Sequence, residues 1–97
     1  MAHDGGETYP LAYQAVQEMA PNASGVYTIY TSQRWVHVGE SDDIRQSLFR
    51  HLNDPPACMA RYGPLSFSFE TVPMAERVSH QQALVAALKP ACNAAHG

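Results

Sequence analysis

Two short runs of β-branched and aromatic residues, separated by a few polar residues, constrain the fold of this chain more than any other feature. The first run covers residues 26–31, the second covers residues 35–39, and Ser32, Gln33 and Arg34 lie between them. Such runs favour extended backbone, and so short a connection predicts that they pair as an antiparallel hairpin. A hairpin in the middle of the chain must bury its apolar face against other elements.

Three segments around the hairpin have the apolar periodicity of helices. The first begins near Pro10, the second has Ile44, Leu48 and Leu52 on one face after an N-cap at Ser41 or Asp42, and the third covers residues 75–88 with Val78, Val85 and Leu88 on one face. Residues 65–72 alternate apolar and polar side chains, which predicts a third strand with one buried face. We therefore predict an α+β fold in which helices cover a small three-stranded antiparallel sheet.

Composition limits the class of protein. The chain has 97 residues, of which 45% are hydrophobic and 15% charged, so we expect one globular domain rather than a disordered chain. The apolar runs are far too short to cross a bilayer and the N-terminus lacks a secretory pattern, so we expect no membrane association and a cytoplasmic location. A net charge of −3 excludes a protein whose whole surface coats DNA.

The two cysteines give a weaker signal. Cys58 and Cys92 form no CxxC motif and have no histidine at zinc-finger spacing, so a structural metal site is not predicted. A disulfide between them is one interpretation. For a cytoplasmic chain we prefer reduced, buried thiols.

Two tripeptides in the predicted hairpin carry a family resemblance. Gly25-Val26-Tyr27 and His37-Val38-Gly39 resemble the pair that names the GIY-YIG endonuclease superfamily. A capped helix follows Gly39, and the last helix ends in Lys-Pro-Ala-Cys-Asn, which is similar to the close of the family domain in the bacterial excision-repair nuclease. The resemblance covers residues 23–93, which leaves residues 1–22 as an N-terminal tail with a short helix and 94–97 as a C-terminal tail.

The resemblance implies a site that cleaves phosphodiester bonds with one divalent metal, Mg²⁺ or Mn²⁺. In that mechanism a tyrosine activates the nucleophile, an arginine stabilises phosphate charge and a glutamate holds the metal. The resemblance places Tyr27, His37, Ser47, His51 and Gln81 at the catalytic positions. The candidate substrate-binding residues are Gly39, Asn93 and two arginines near position 47, Arg45 and Arg50.

Two of these positions lack the charge that the family mechanism needs. The family arginine, eight residues after Gly39, is Ser47, and the metal-binding glutamate, nine residues before Pro90, is Gln81. Glu40 is the candidate substitute ligand. We therefore predict a catalytically impaired GIY-YIG-like domain that binds DNA or RNA or serves as an interaction module. An impaired domain needs no cofactor, whereas an active one would require Mg²⁺ or Mn²⁺.

Other interpretations are open at this point. One is an active metal-dependent endonuclease that cleaves DNA with Glu40 as the ligand, and another is a protein-interaction scaffold with no nucleic-acid role. Tyr27 and His37 are also ordinary residues for a sheet, and Gln81 is an ordinary residue for a helix edge.

Overall fold

The computed structural model describes residues 7–93 as four antiparallel strands and four α-helices. The elements are β1 (Tyr9–Pro10), α1 (Tyr13–Met19), β2 (Gly25–Tyr30), β3 (Trp35–Ser41), α2 (Ile44–Asn53), α3 (Ala57–Ala60), β4 (Ser66–Thr71), a 3₁₀ turn (Met74–Glu76) and α4 (Arg77–Leu88). Residues 1–6 of the predicted N-terminal tail and the whole predicted C-terminal tail, residues 94–97, lie outside the described residues. Among the described helices, none has both the length and the apolar character needed to cross a membrane.

The prediction of an α+β fold with an antiparallel sheet is confirmed, but the sheet has four strands and not three. Its strand order is β1-β4-β2-β3. The missed strand is β1, whose two residues pair with Phe67 and Ser66 of β4. The ring of Tyr9 packs against Phe67 at a centroid distance of 5.4 Å. Two residues, one of them a proline, are too few for an alternating pattern, so the sequence carries no strand signal there.

The predicted hairpin is formed by β2 and β3, and its register positions the later site. Tyr27 lies opposite Gly39, and Ile29 lies opposite His37. Because alternate residues of a strand share a face, Tyr27, Ile29 and His37 are on one side of the sheet. Every residue of β2 is buried, since β2 lies between β3 and β4. The hairpin is therefore the centre of the sheet.

Helix α2 covers the face of the sheet that carries Tyr27. Ile44 and Leu48 are fully buried, as their spacing predicts, and belong to the same core cluster as Tyr27 and Ile29. The predicted N-cap was wrong by one or two residues: Asp43 is the N-cap and accepts a hydrogen bond from the backbone N–H of Gln46 at 3.1 Å. A carboxylate suits this position because it satisfies an N–H that has no partner within the helix.

Helix α4 packs on β3 and β2, and the predicted apolar face is half-buried at two of its three positions. Val85 and Leu88 are half-buried as predicted, and so are Arg77 and Gln81, whereas Val78 is 49% exposed. The predicted start was also early, because a 3₁₀ turn precedes Arg77. Counting apolar residues alone overlooked Arg77, whose aliphatic stem can cover a sheet while its charge finds a partner.

The segment after α4 lies along the outer edge of β3. The backbone N–H groups of Ala91 and Cys92 donate to the carbonyls of Trp35 and Val36 at 3.0 and 2.8 Å. Cys92 forms a disulfide with Cys58 of α3, so the preference for reduced thiols was wrong. The two cysteines are 34 residues apart, and only the folded chain brings α3 against this segment. The disulfide therefore ties the C-terminal segment to the rest of the domain.

Candidate active site

Tyr27 is at the centre of the candidate site. Its side chain is only 5% exposed, and its ring lies against Gly39 on the neighbouring strand. A Cβ atom at position 39 would collide with both the ring and the hydroxyl of Tyr27. Glycine is thus required at position 39 by the close approach of the tyrosine ring.

Two imidazoles lie beside the Tyr27 side chain. His51 of α2 lies with its Nε2 2.9 Å from that hydroxyl, in hydrogen-bond contact. His37 of β3 is a diagonal neighbour of Tyr27 across the hairpin, with ring centroids 6.0 Å apart. The rings of His37 and His51 are themselves in edge contact, at a centroid distance of 5.1 Å. We call Tyr27, His37 and His51 the ring cluster. Its members come from three different elements.

Burial controls the protonation of the ring cluster. The pKa of Tyr27 is raised to about 12, mainly because burial removes water from its hydroxyl. The charge of Arg50 and a hydrogen bond with Ser47 lower this pKa, and the charge of Glu40 raises it further. Burial, and next the positive charge of Arg50, lower the pKa of His51. The phenol and the His51 imidazole are therefore both neutral at neutral pH.

Ser47 sits at the position where the resemblance expects an arginine. Its hydroxyl is 2.6 Å from the hydroxyl of Ser41, and the Ser41 hydroxyl also accepts a hydrogen bond from the N–H of Asp43 at 2.9 Å. The serine is thus part of the polar network at the start of α2. It contributes no positive charge.

A polar groove of about 220 Å³ lies beside Ser47, between the start of α2 and the start of α4. It is lined by Glu40, Ser41, Asp42, Asp43, Gln46, Ser47, Arg50 and Arg77. We call it the arginine groove, because Arg50 and Arg77 bring positive charge to it. The sequence analysis found Arg50 but missed Arg77. The signal that could have found Arg77 is its position one helical turn before Gln81.

Glu40, the candidate substitute ligand, is paired with Arg77. The Nε of Arg77 is 2.7 Å from a carboxylate oxygen of Glu40, a short ion pair that is not aligned as a hydrogen bond. The Nη1 atom of Arg77 is buried and has no hydrogen-bond partner within residues 7–93. The guanidinium thus compensates the charge of Glu40.

Gln81 and Asn93 both contact the backbone of Val38 rather than each other. The Gln81 side chain donates from Nε2 to the Val38 carbonyl at 3.1 Å. The Asn93 amide donates to the same carbonyl at 2.8 Å and accepts from the Val38 N–H at 2.7 Å. Since β3 is an edge strand, these amides satisfy backbone groups that no strand pairs. We call Val38, Gln81 and Asn93 the amide clamp.

The residues present do not fit a resident divalent cation. Mg²⁺ prefers several hard, anionic oxygen ligands. The side chain at position 81 is a neutral amide held on Val38, and Glu40 already faces a cation. Among residues 7–93 no three His, Cys, Asp or Glu side chains converge in a way that could hold a metal ion.

Arg45 lies apart from the other predicted site residues. It donates from Nε to the backbone carbonyl of Ala20 at 2.8 Å and so joins α2 to the end of α1. The structure thus brings together Tyr27, His37, His51 and Arg50, and it assigns Arg45 a different contact.

The sequence matches no protein-family model and no curated protein at a significant level. Solved structures do match. The GIY-YIG N-terminal endonuclease domain of UvrC from Thermotoga maritima, bound to magnesium as its catalytic divalent cation, aligns with a TM-score of 0.65 at 17% identity. This alignment covers 80% of this chain and 90% of that chain.

Two tyrosine-to-phenylalanine mutants of the same domain, each bound to the catalytic divalent cation, match similarly. Their TM-scores are 0.65 and 0.64 at 17% and 15% identity, and each alignment covers 81% of this chain and 91% of theirs. The resemblance predicted from the two tripeptides is thereby confirmed at the level of architecture. This chain has the fold of the GIY-YIG endonuclease domains.

Proposed function

We propose that this domain binds nucleic acid across the ring cluster and the arginine groove and is impaired in metal-dependent cleavage. The proposal rests on the side chain at position 81, which is a glutamine instead of the expected metal-binding glutamate. The neutral amide of Gln81 donates a hydrogen bond to the Val38 carbonyl, so α4 offers no carboxylate to a metal at this position. The GIY-YIG fold supports a nuclease-related kind of function, which favours nucleic acid as the ligand.

The missing charges determine the expected impairment. A neutral amide does not offset the cost of removing water from Mg²⁺, and Ser47 cannot neutralise charge on a phosphate in the transition state. Removal of one preorganised electrostatic group typically costs about 10²- to 10³-fold in rate. With both groups replaced, metal-dependent cleavage falls by at least that factor.

Binding is supported by the two guanidinium groups of the arginine groove. The chain as a whole has a net charge of −3, so any affinity for phosphate must be local. Arg50 and Arg77 line the same groove, and Glu40, Asp42 and Asp43 line it as well, so a contact with phosphate depends on the two guanidinium groups themselves. Aromatic and imidazole rings beside cationic side chains suit a single strand, whose bases stack on rings while its phosphates contact arginine.

The first test restores the two charges. We expect Ser47→Arg plus Gln81→Glu to gain Mg²⁺-dependent cleavage of supercoiled DNA, while the native chain leaves the plasmid intact. Gln17→Arg plus Gln82→Glu is the matched control, since it makes the same charge changes at exposed positions of α1 and α4. Native cleavage of DNA in Mg²⁺ that disappears in Glu40→Gln would contradict the proposed impairment and establish the active-nuclease alternative.

The second test measures binding. We expect fluorescence anisotropy to show an affinity for single-stranded oligonucleotides that falls as salt rises, because bound phosphates release counterions. Arg50→Gln and Arg77→Gln should each weaken binding and reduce the salt slope by about 0.7, the value for one contact to a single strand. An absence of salt-dependent binding would leave the protein-interaction scaffold as the better account.

We retain a cytoplasmic location as a proposal, but one feature of the fold bears against it. Disulfides persist mainly in oxidising compartments. The pairing of Cys58 with Cys92 therefore favours an oxidising environment or a redox-dependent protein. Thiol trapping of the protein in intact cells of its source organism distinguishes these cases.

A further inference from the structure

A second cavity lies at the other end of β3 from the arginine groove. It has a volume of about 470 Å³ and is lined by residues 31–33 of the hairpin turn, by residues 62–64 after α3, and by Ser66 at the start of β4. We call it the turn pocket. The arginine groove includes Glu40 near the end of β3, whereas the turn pocket lies just before Trp35, where β3 begins. At about 3.3 Å per residue, the two ends of this strand are roughly 20 Å apart.

Backbone hydrogen bonds hold the walls of the turn pocket in place. The N–H of Thr31 donates to the Arg34 carbonyl at 2.9 Å, and the N–H of Gln33 donates to Oγ1 of Thr31 at 3.1 Å. On the other side, the N–H of Tyr62 donates at 3.2 Å to the carbonyl of Met59, which is buried in α3. A ligand therefore does not have to order either segment, which lowers the cost of binding.

The turn pocket combines one aromatic ring with polar side chains that can bond a ligand. Tyr62 is half-buried against the core, and its ring contacts no other aromatic ring within residues 7–93. The hydroxyls of Ser32 and Ser66 and the side-chain amide of Gln33 make no hydrogen bond to any other part of the chain that the structure describes. These groups can therefore exchange water for a ligand that both donates and accepts hydrogen bonds.

The segments that form the turn pocket carry positive charge. Residues 31–34 and 61–65 contain Arg34 and Arg61 and no acidic residue. Both arginines are exposed, and neither forms an ion pair with another described residue. The arginine groove, by contrast, has three carboxylates beside its two guanidinium groups. The turn pocket is thus locally suited to an anion although the chain has a net charge of −3.

We propose that the turn pocket binds an unpaired nucleotide, with its base on the ring of Tyr62 and its phosphate beside Arg34 and Arg61. An aromatic ring stacks on any base, and the amide of Gln33 matches a base edge that has both donors and acceptors. In a duplex the faces and pairing edges of the bases are already occupied, so the pocket selects unpaired nucleotides. The inference goes beyond the proposed function, because the turn pocket and the arginine groove share no residue.

The test locates the ligand by NMR titration of the isotope-labelled native chain. The probes are a single-stranded oligonucleotide of mixed sequence, the duplex of the same sequence, and adenosine monophosphate. We expect the single strand to shift the amide signals of Ser32, Gln33 and Gly63 with one common dissociation constant, and the duplex to leave them unchanged. If adenosine monophosphate alone shifts the same signals, the occupant is a free nucleotide. If only the oligonucleotide does so, the occupant is a nucleotide within a strand.

Variants test the role of the ring. Tyr62→Ala should weaken binding at the turn pocket by about 5- to 150-fold, which corresponds to the loss of one stacked base. Tyr62→Phe keeps the ring and should bind like the native chain. Tyr13→Ala is the matched control, because Tyr13 is 55% exposed and lies on α1.

The two arginines provide a second test at exposed positions, where a substitution leaves the core intact. Arg34→Gln plus Arg61→Gln should weaken binding of the single strand at the turn pocket and reduce its salt slope by about 1.4, which is the value for two phosphate contacts. Arg50→Gln is the contrasting variant. Because Arg50 lines the arginine groove, this change should leave the dissociation constant at the turn pocket unaltered.

The pattern of shifted signals separates this inference from the proposed function. Shifts at both sites support both proposals. Shifts confined to Gln46 and Ser47 of the arginine groove overturn the inference and leave the proposed function in place, whereas shifts confined to the turn pocket do the reverse. No shift at either site overturns both. A duplex that binds the turn pocket as tightly as the single strand, or native affinity in Tyr62→Ala, also overturns the inference.

Discussion

The ring cluster and the amide clamp occupy neighbouring parts of β3 and have opposite character. In the ring cluster, Tyr27, His37 and His51 bring three titratable side chains into contact. In the amide clamp, Gln81 and Asn93 present neutral amides that satisfy the backbone of Val38. The ring cluster therefore carries titratable side chains, whereas the amide clamp carries neutral side chains that support the edge of β3.

The largest expected effect on stability comes from removing the disulfide, which lies beside the amide clamp. We expect Cys58→Ser plus Cys92→Ser to lower the free energy of unfolding by about 4 kcal/mol, because the bond closes a loop with a sequence separation of 34. Urea denaturation measures the change. Reductant should destabilise the native chain by a similar amount and leave the double variant unaffected; a native chain indifferent to reductant contradicts the prediction.

The next effect is the alkaline titration of Tyr27. Its pKa is raised from 10.0 to about 12 in the fold, so the stabilisation is present below pH 10 and is lost as the pH rises from 10 to 12. A shift of this size corresponds to about 2 to 3 kcal/mol. We expect Tyr27→Phe to flatten this part of the curve of unfolding free energy against pH. Tyr13→Phe is the control, because Tyr13 is 55% exposed, and an equal flattening in the control would contradict the role of burial.

The smallest expected effect is the loss of unfolding free energy when either amide of the clamp is removed, and it differs between Asn93 and Gln81. We expect Asn93→Ala to cost about 1 to 3 kcal/mol, since it leaves the buried N–H of Val38 without its partner. Gln81→Ala should cost about 0.5 to 1.5 kcal/mol, because the Val38 carbonyl keeps its bond to Asn93. The double variant should cost more than the sum of the two changes, and Gln82→Ala is the exposed control. Equal costs for Gln81→Ala and Gln82→Ala would show that the Gln81 contact contributes no stability.

Local patterns predicted the elements that bury regularly spaced apolar residues. The hairpin was predictable because β2 is dense in β-branched and aromatic residues, and α2 because Ile44 and Leu48 recur at helical spacing. The family resemblance grouped Tyr27, His37 and His51, and their side chains are in contact, although the contact between the two imidazoles depends on how α2 crosses the hairpin.

Three features that were not predicted from the sequence, β1, the disulfide and the role of Arg77, depend on long-range contacts. The strand β1 is held by β4, and Cys58 meets Cys92 only when α3 and the C-terminal segment are in place. Arg77 was overlooked because a search for apolar periodicity gives no weight to a charged side chain, yet its partner Glu40 lies on another element. No local pattern contains these pairings.

The C-terminal segment has a further consequence for how copies of this chain behave at high concentration. An uncovered edge strand is a template on which another chain can add by strand pairing. One edge of this sheet is the two-residue strand β1, which ends in Pro10, and the other edge, β3, is covered by Ala91, Cys92 and Asn93. We expect reduction of the disulfide to weaken the hold of that segment on β3, so a reduced sample at high concentration should self-associate more than the oxidised protein.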